Sequence, residues 1–584
     1  MIPVRAYWRL LRHYLSPLRA RVALLSVLLL TGIAFQVANP QLIRAFIDRA
    51  VGGADLGVLL TLAAGFTLLA VGHQALTVAS TYVAQDVGWS ATNELRADLA
   101  AHVLDLDMSF HKSVTPGNLI ERIDGDVTTL SNFFSQFVIH VAGNVVLIVG
   151  ILALLWREHW QVGLGLTGFS VVALFAMLRF QAVAMPWWRA VRAKRAEFFG
   201  TLGEQLAGTE DVRASGAVPY MLQRFTATLR DWLPAAVRAR FGFSVLWGTS
   251  ITVYIVGLAL VFWLGSSLLS EGALTIGSVY LVFHYTEMLR HPIEQIRQQM
   301  EDLQRAGAGI SRVEELFSRY SRLDTSGTGR LPDGPLSLVL AGVEFAYEDD
   351  DSNGEKVLHH VDVAVAPGRV VGVLGRTGSG KSTLARLVTR LYDPIEGEVR
   401  IGGVAAPTVE IHHLRRRVGM VTQEVQLFRA SVRNNLTFFD PAVSDERIHE
   451  VLDHLELDGW LASLPEGLDT MLESGGGGLS AGQGQLLAFA RIFLRDPGLV
   501  ILDEASSRLD PATEILIGRA VDHLLAGRTG VIIAHRLATV ERADDILILE
   551  GGRVAEFGER TALAADPDSR FARLLRTGLE ELLV

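Results

Sequence analysis

Apolar runs long enough to cross a bilayer crowd the first half of this 584-residue chain and are missing from the second. A helix needs about 20 apolar residues to cross the hydrocarbon core. Runs of that kind lie near 22–46, 57–84, 135–156, 161–183, 243–269 and 275–298. Hydrophobic residues make up 49% of the chain and the mean hydropathy is +0.31. That excess over a soluble protein is carried by residues up to about Leu289. At this length more than one domain is expected, because single cores stop growing near ~250–300 residues.

The connections between the runs alternate. Those around Asp48–Asp55, Arg157–Gln161 and Ser270–Ala273 are short and hardly basic. Those at 85–134 and 184–242 are long and charged, the second opening with Arg189, Arg192, Lys194 and Arg195. The positive-inside rule places the long connections and both chain ends in the cytoplasm, in a multi-pass protein of the cell membrane. Rich in Ala, Leu, Arg and Glu, the long connections read as membrane helices continuing beyond the bilayer. Turn chemistry breaks each once, at Ser113–Gly117 and at Gly208–Pro219. The N-terminus carries Arg5, Arg9, Arg12, Arg19 and Arg21 with no acidic residue before Asp48. Without a small-residue cleavage site after a short apolar core, this is not a signal peptide. It reads as a cytoplasmic helix along the membrane, with Trp8, Leu10, Leu11 and Leu15 as its apolar face.

A net charge of −10 gives no reason for a nucleic-acid partner. The absence of cysteine excludes disulfides and thiolate metal sites. Inside the spans sit Gln36, Asn39, His73, Asn144, Tyr254, His284 and Glu287. Such groups either hydrogen-bond helix to helix or line a substrate path, and sequence does not separate the two. After Glu314–Phe317, the Gly-, Pro- and Ser/Thr-rich run Asp324–Pro335 reads as a linker. Beyond it, short β-branched runs alternate with helical patterns, as in a largely parallel α/β core. The organisation is therefore an all-α six-helix transmembrane domain (1–320), a linker (321–335) and an α/β domain (336–584).

Gly375-Arg-Thr-Gly-Ser-Gly-Lys-Ser382 satisfies G-x-x-x-x-G-K-[ST], follows the apolar strand Val370–Leu374 and opens a helix with Leu384, Leu387, Val388 and Leu391 on one face. The loop from Gly375 through Thr377, Gly378, Ser379 and Gly380 would wrap backbone N–H groups around phosphate oxygens. Lys381 would reach the β- and γ-phosphates of ATP, and the hydroxyl of Ser382, with Thr383 beside it, would face Mg²⁺. A purely structural glycine turn has no use for the Lys-Ser pair. A second strand, Leu499–Leu502, delivers Asp503 to the magnesium shell and Glu504 as general base for the attacking water. A third, Val531–Ala534, delivers His535 towards the γ-phosphate.

On these motifs the chain resembles a half-size ABC transporter of the exporter type, over essentially its whole length. The most specific of them is Leu479-Ser-Ala-Gly-Gln483, close to the family signature Leu-Ser-Gly-Gly-Gln. The resemblance implies that Tyr347 stacks on adenine and that Gln423 senses Mg²⁺ and nucleotide. It implies that Ser507–Asp510 communicates across a dimer, with Asp510 at its end. Gly117, Leu119, Arg122 and Asp126 match the family's first cytoplasmic loop, and the two broken tips fall where exporters place coupling helices. It further implies that Ser480, Ala481, Gly482 and Gln483 close over ATP bound to a partner half-transporter, giving alternating access.

Three departures bear on the partner: Ala481 for a signature glycine, Gly484 and Leu486 where basic residues are common, and Ser474 where a glutamate is usual, with Glu473 one place off. With Glu504, His535 and Gln423 matching the competent pattern, they favour one member of an asymmetric heterodimer, a homodimer being the alternative. Six spans exclude a soluble ABC ATPase, and fusion of membrane and ATPase parts argues against an importer. An ATP-gated or regulatory subunit with little turnover is the remaining rival. Drugs, lipids, peptides and siderophores all pass through this architecture, and the spans do not choose among them. Membrane lipid surrounds the chain in every case.

Overall fold

The computed structural model describes residues 9, 12–131, 138–347, 355–423, 425–473, 475, 479–503, 511–534 and 540–577. They divide into two compact units, one of residues 1–104 with 117–318 and one of 105–116 with 319–584.

The first unit is built on α1 (Arg19–Val51), α2 (Leu56–Asp105), α3 (Asn144–Glu158), α4 (Trp160–Ala207), α5 (Val218–Ser270) and α6 (Ile276–Phe317). The 50 residues of α2 and 53 of α5 give rods about 75–80 Å long at ~1.5 Å per residue. That is far more than the ~30 Å hydrocarbon core requires. Among the described residues four helices are long and apolar enough to span: Arg12–Val51, Leu56–Asp105, Val141–Glu158 and Val218–Ser270. The apolar part of α4 covers Trp160–Ala176. α6 stands apart because Glu287, Arg290 and Glu294 interrupt it. Its apolar face carries Leu281, Tyr285 and Leu289, buried against Leu147, Ile151 and Leu155 of α3. A helix this polar belongs to the interior of the bundle rather than to lipid.

The ends of α1, α3 and α6 are tied by a polar cluster. Glu158 accepts from Arg44 Nη1 and from Ser278 Oγ, both at 2.6 Å. Asp48 accepts from Thr275 Oγ1 and from the Gly277 N–H, both at 2.9 Å. Gly277 is required, since a Cβ there would lie 2.6 Å from the Arg44 carbonyl oxygen. Of the polar residues noted inside the spans, several bond helix to helix. His73 Nδ1 meets the Gly32 carbonyl at 3.0 Å, Asn144 donates to Gln295 at 2.7 Å, and Tyr254 donates to Glu287. Of the N-terminal segment, Trp8, Leu10 and Leu11 lie outside the described residues, and Arg9 pairs with Glu314 at 2.8 Å.

After α2 the chain breaks at Asp107, whose carboxylate caps the short helix Met108–Ser113 through the N–H groups of Ser109 (2.9 Å) and Phe110 (3.2 Å). It also accepts the Arg322 N–H at 2.7 Å. Burial works against its charge, but these N–H groups outweigh burial and hold the carboxyl below its ordinary value. A second short helix, Thr209–Ala214, separates α4 from α5. In the first unit Asp126 is buried and takes a bidentate pair from Arg312, with Nε at 2.7 Å.

The second unit holds a six-stranded sheet of order β10-β9-β3-β8-β7-β6 and a four-stranded antiparallel sheet of order β2-β1-β4-β5. Here β1 is Leu338–Ala346, β2 Lys356–Val365, β3 Val370–Leu374, β4 Glu396–Ile401 and β5 Val404–Ala405. β6 is Val418–Val421, β7 Leu499–Asp503, β8 Thr529–Ile533, β9 Asp545–Glu550 and β10 Arg553–Glu559. In the larger sheet β9, β3, β8, β7 and β6 run parallel. Strands covered on both faces read as unbroken apolar runs. Accordingly Val500 and Leu502 of β7 pack into one core, and Leu499 and Ile501 into the other. The run read as a linker is fastened down. Leu331 is buried, Gly329 bridges to Val409, and Arg417 donates to the carbonyls of Pro332 (3.1 Å) and Gly334 (2.7 Å).

Removing one partner of a buried ion pair costs ~3–5 kcal/mol, and less where one side chain is half exposed, as Arg312 is. Arg312→Ala is therefore expected to destabilise the membrane unit by roughly 2 kcal/mol. Thermal unfolding of the detergent-solubilised protein measures this, and an unchanged midpoint would remove Asp126–Arg312 from the interactions that hold the unit together.

Candidate functional site

β3 is buried along its whole length and releases the chain at Gly375, where φ is +151°. A Cβ at Gly375 would fall on the Leu549 carbonyl oxygen, and one at Gly380 (φ +100°) would lie 2.5 Å from Leu358 Cδ2. Gly378 also has positive φ, at +82°. Only glycine takes these conformations without strain, so the loop Gly375–Gly380 curls tightly enough to start α7 (Lys381–Val388) directly at its end. Lys381 is 6% exposed. Its ammonium donates to the carbonyls of Gly375 (2.6 Å) and Arg376 (3.1 Å), bending back over the loop that precedes it. Among the described residues the buried Ser379 Oγ has no hydrogen-bond partner. A cavity of about 530 Å³ runs along Gly375, Arg376, Thr377, Gly378 and Ser379. A buried cation, an unsatisfied hydroxyl and a helix start at one loop fit an anionic phosphate chain.

The strand directions bring the other motifs to the same edge. β3, β8, β7 and β6 are parallel neighbours, so their C-terminal ends lie side by side. Asp503 ends β7 opposite Ile533 of β8. Gln423 sits in an exposed bend two residues after β6. β8 leads into Ala534, whose N–H bonds the Val373 carbonyl at 3.1 Å. Glu504, His535 and Asp510 lie outside the described residues. Among the described residues no cluster of three His, Cys, Asp or Glu side chains is placed to hold a metal alone. Mg²⁺ bound with a nucleotide takes only one or two protein ligands and fills its shell with phosphate and water. The oxygens of Ser382, Asp503 and Gln423 are the hard donors it prefers.

Tyr347 is fixed from several sides. Its hydroxyl meets Thr383 Oγ1 at 3.0 Å and accepts from Arg386 Nη1 at 2.9 Å. Phe345 and Tyr392 pack edge-on at 4.9 and 5.4 Å, and the Lys112 ammonium lies 4.3 Å from the ring centroid. Ser480 caps α8 (Ala481–Arg495) in a reciprocal box: its Oγ accepts the Gln483 N–H at 3.2 Å, and Gln483 Oε1 accepts the Ser480 N–H at 2.9 Å. Gly482 is buried behind this start, and Gly484 and Leu486 are buried too. Ser474 lies outside the described residues.

Sequence reasoning missed Arg491. Its guanidinium donates to the Asn435 carbonyl (2.7 Å), the Gln426 carbonyl (2.9 Å) and Asn435 Oδ1 (3.2 Å). It thereby fastens the helix behind the signature to the segment after Gln423. Burial, and then the charge of Arg495, pulls this guanidinium down to about 10. Lys112 and Arg386 were missed as well. An arginine within an apolar helical run was the available signal for Arg491; none pointed from Lys112 to Tyr347, 235 positions on.

The family profile described as ABC transporter transmembrane region matches residues 22–292, and that described as ABC transporter matches 358–507. The chain is 29% identical over 567 residues to the uncharacterized ABC transporter ATP-binding protein YknV of Bacillus subtilis, covering 96% of this chain and 92% of that one. It is 31% identical to the cyclolysin secretion/processing ATP-binding protein CyaB of Bordetella pertussis, over 92% of this chain and 74% of that one. A bacterial Atm1-family ABC exporter solved with ATP bound superposes with a TM-score of 0.77 at 25% identity, over 96% of this chain and 98% of that one. The chain belongs to the ABC transporter family, as an exporter-type half-transporter with its membrane region fused ahead of its ATPase. It is a membrane-embedded ATPase coupled to transport, with its nucleotide-binding unit in the cytoplasm.

Gly375→Ala forces a methyl into the Leu549 carbonyl at a φ that alanine resists. ATP affinity should fall at least ~10-fold, equivalent to ~1.4 kcal/mol. Equilibrium binding of a fluorescent ATP analogue to the purified transporter tests this; wild-type affinity would mean that the loop tolerates a side chain and is not a tight phosphate cradle.

Proposed function

We propose that this chain exports an amphipathic or lipophilic substrate across the cytoplasmic membrane by alternating access, as one half of a dimer. The observation that carries the reading is Lys381, buried and folded back over a glycine loop on a chain whose other unit is a helical membrane bundle. In this reading the N–H groups of Gly378 to Ser382 and the Lys381 ammonium hold the β- and γ-phosphates. Ser382, Gln423 and Asp503 would hold Mg²⁺, which would supply positive charge to offset that developing on the transferred phosphoryl group. Glu504, next after Asp503, takes the proton of the attacking water, and His535 meets the γ-phosphate. Tyr347 stacks on the adenine. Ser480 to Gln483 face the nucleotide of the partner subunit, where the start of α8 offers its N–H groups to the γ-phosphate, and Asp510 communicates across the dimer.

Glu504→Gln should leave ATP binding intact and cut hydrolysis at least ~10²-fold, the range lost with a general base. Turnover and nucleotide affinity measured on the same preparation decide it. Near wild-type hydrolysis would deny Glu504 the role of base.

The dimer we propose is a heterodimer. A methyl at Ala481 hinders the close backbone approach that a γ-phosphate requires, whereas the chain's own catalytic half keeps the competent residues. Expressed alone, the chain should show little ATPase activity. Co-expressed with its partner, it should form a complex in which Glu504→Gln silences nearly all turnover. Purification alone as a homodimer with two equal, active sites would overturn the asymmetry and leave the transporter reading standing.

A further inference from the structure

Within the membrane unit, α4, α5 and α6 enclose a second cavity of about 530 Å³, well inside the ~300–1,000 Å³ range of small-molecule sites. Trp188 of α4 and Phe243 and Trp247 of α5 line it together with Glu287, Arg290 and Glu294 of α6. Glu287 and Arg290 stand three residues apart on one helix, a spacing at which a carboxylate and a guanidinium are neighbours and pair readily. Here they do not. Tyr254 of α5 takes both: its hydroxyl donates to the Glu287 carboxylate, and the Arg290 guanidinium lies 4.9 Å from its ring centroid. Among the described residues neither charge has an ion-pair partner.

Charges inside a bundle are costly, and simple structural use would let opposite charges one turn apart neutralise each other. A tyrosine that holds them apart keeps a negative and a positive group both presented to a cavity with aromatic walls. We propose that this cavity is the binding site for a zwitterionic amphipath: an ammonium for Glu287, a phosphate or carboxylate for Arg290, and an apolar body against the indole and phenyl faces. A purely cationic ligand would meet Arg290 and a purely anionic one Glu287, so each is selected against. The inference rests on the export reading and supplies its substrate class. Two sources share this chemistry, a zwitterionic lipid headgroup and a soluble zwitterionic peptide.

The test uses the purified full-length transporter in a neutral maltoside detergent. Four probes are titrated: dodecylphosphocholine, dodecyltrimethylammonium, dodecyl phosphate and the zwitterionic dipeptide phenylalanyl-leucine. Tryptophan quenching reports the cavity and ATPase stimulation reports coupling. The phosphocholine should half-saturate at a concentration at least ~10-fold below either singly charged amphiphile, a difference of ~1.4 kcal/mol. Glu287→Gln should abolish the disadvantage of the dodecyl phosphate, and Arg290→Gln that of the trimethylammonium. A dipeptide response selects a soluble source; a response confined to the alkyl phosphocholine selects a lipid headgroup. Equal responses to all three amphiphiles, or variants that move cation and anion alike, overturn the assignment. Protein that turns over ATP yet ignores charge defeats the cavity assignment alone, whereas absence of any ATPase activity in the chain assembled with its partner defeats the export reading and leaves the quenching result to judge the cavity.

Discussion

Parallel pairing of β3, β8, β7 and β6 is the constraint from which the nucleotide unit follows. Parallel strands need a crossover between each pair, so their C-terminal ends collect on one edge and their return paths cover both faces. Motifs separated by more than 120 positions therefore become neighbours without any direct contact between them. Gly375 leaves β3, Gln423 follows β6 and Asp503 ends β7, all on that edge. The apolar filling on both faces makes the edge rigid, and a rigid edge lets the loops adopt conformations they would not hold alone. Gly375 and Gly380, for example, are hemmed in by Leu549 of β9 and Leu358 of β2. The sheet packed around the loop thus leaves no room for a side chain at either position.

In the membrane unit the organising element is α6. Lipid gives no hydrophobic drive between helices, so packing and polar contacts set their association. α6 supplies both. Its apolar face buries Leu281, Tyr285 and Leu289, and the Tyr285 hydroxyl donates to the Val37 carbonyl of α1 at 2.8 Å while accepting from Gln41 at 3.0 Å. Its other faces hold the Asn144–Gln295 bond, the Tyr254–Glu287 bond and, further along, Arg312 on Asp126. A helix that meets this many neighbours cannot be uniformly apolar, and the run read at 275–298 is accordingly interrupted by Glu287, Arg290 and Glu294.

What could be read from sequence follows the same physics. The apolar strands Val370–Leu374, Leu499–Leu502 and Val531–Ala534 announce themselves because burial on both faces leaves no polar alternation. The glycine loop is legible because its φ values exclude other residues. The breaks in the long cytoplasmic helices were visible as Gly and Pro, though Asp107, which caps the first of them, was not singled out. Harder to read was everything that depends on distant partners. The run Asp324–Pro335 has linker composition, yet Leu331 and Arg417 hold it against the second unit. The pairing of Lys112 with Tyr347 and that of Arg491 with Asn435 have no local signature, because a cation over a ring or a buried arginine on carbonyls is set by tertiary position.

The start of α8 shows how a departure from family pattern can be tolerated without loss of fold. Ser480 and Gln483 satisfy each other's backbone N–H groups, so the helix is capped whatever stands at 481. Behind them Leu486 is buried within the core, where a basic residue would have to be paired. Arg491 then anchors the helix to Asn435 and Gln426, a connection independent of residues 481, 484 and 486. Helix stability and phosphate approach are thus separable at this position. Capping and anchoring together fix where α8 begins.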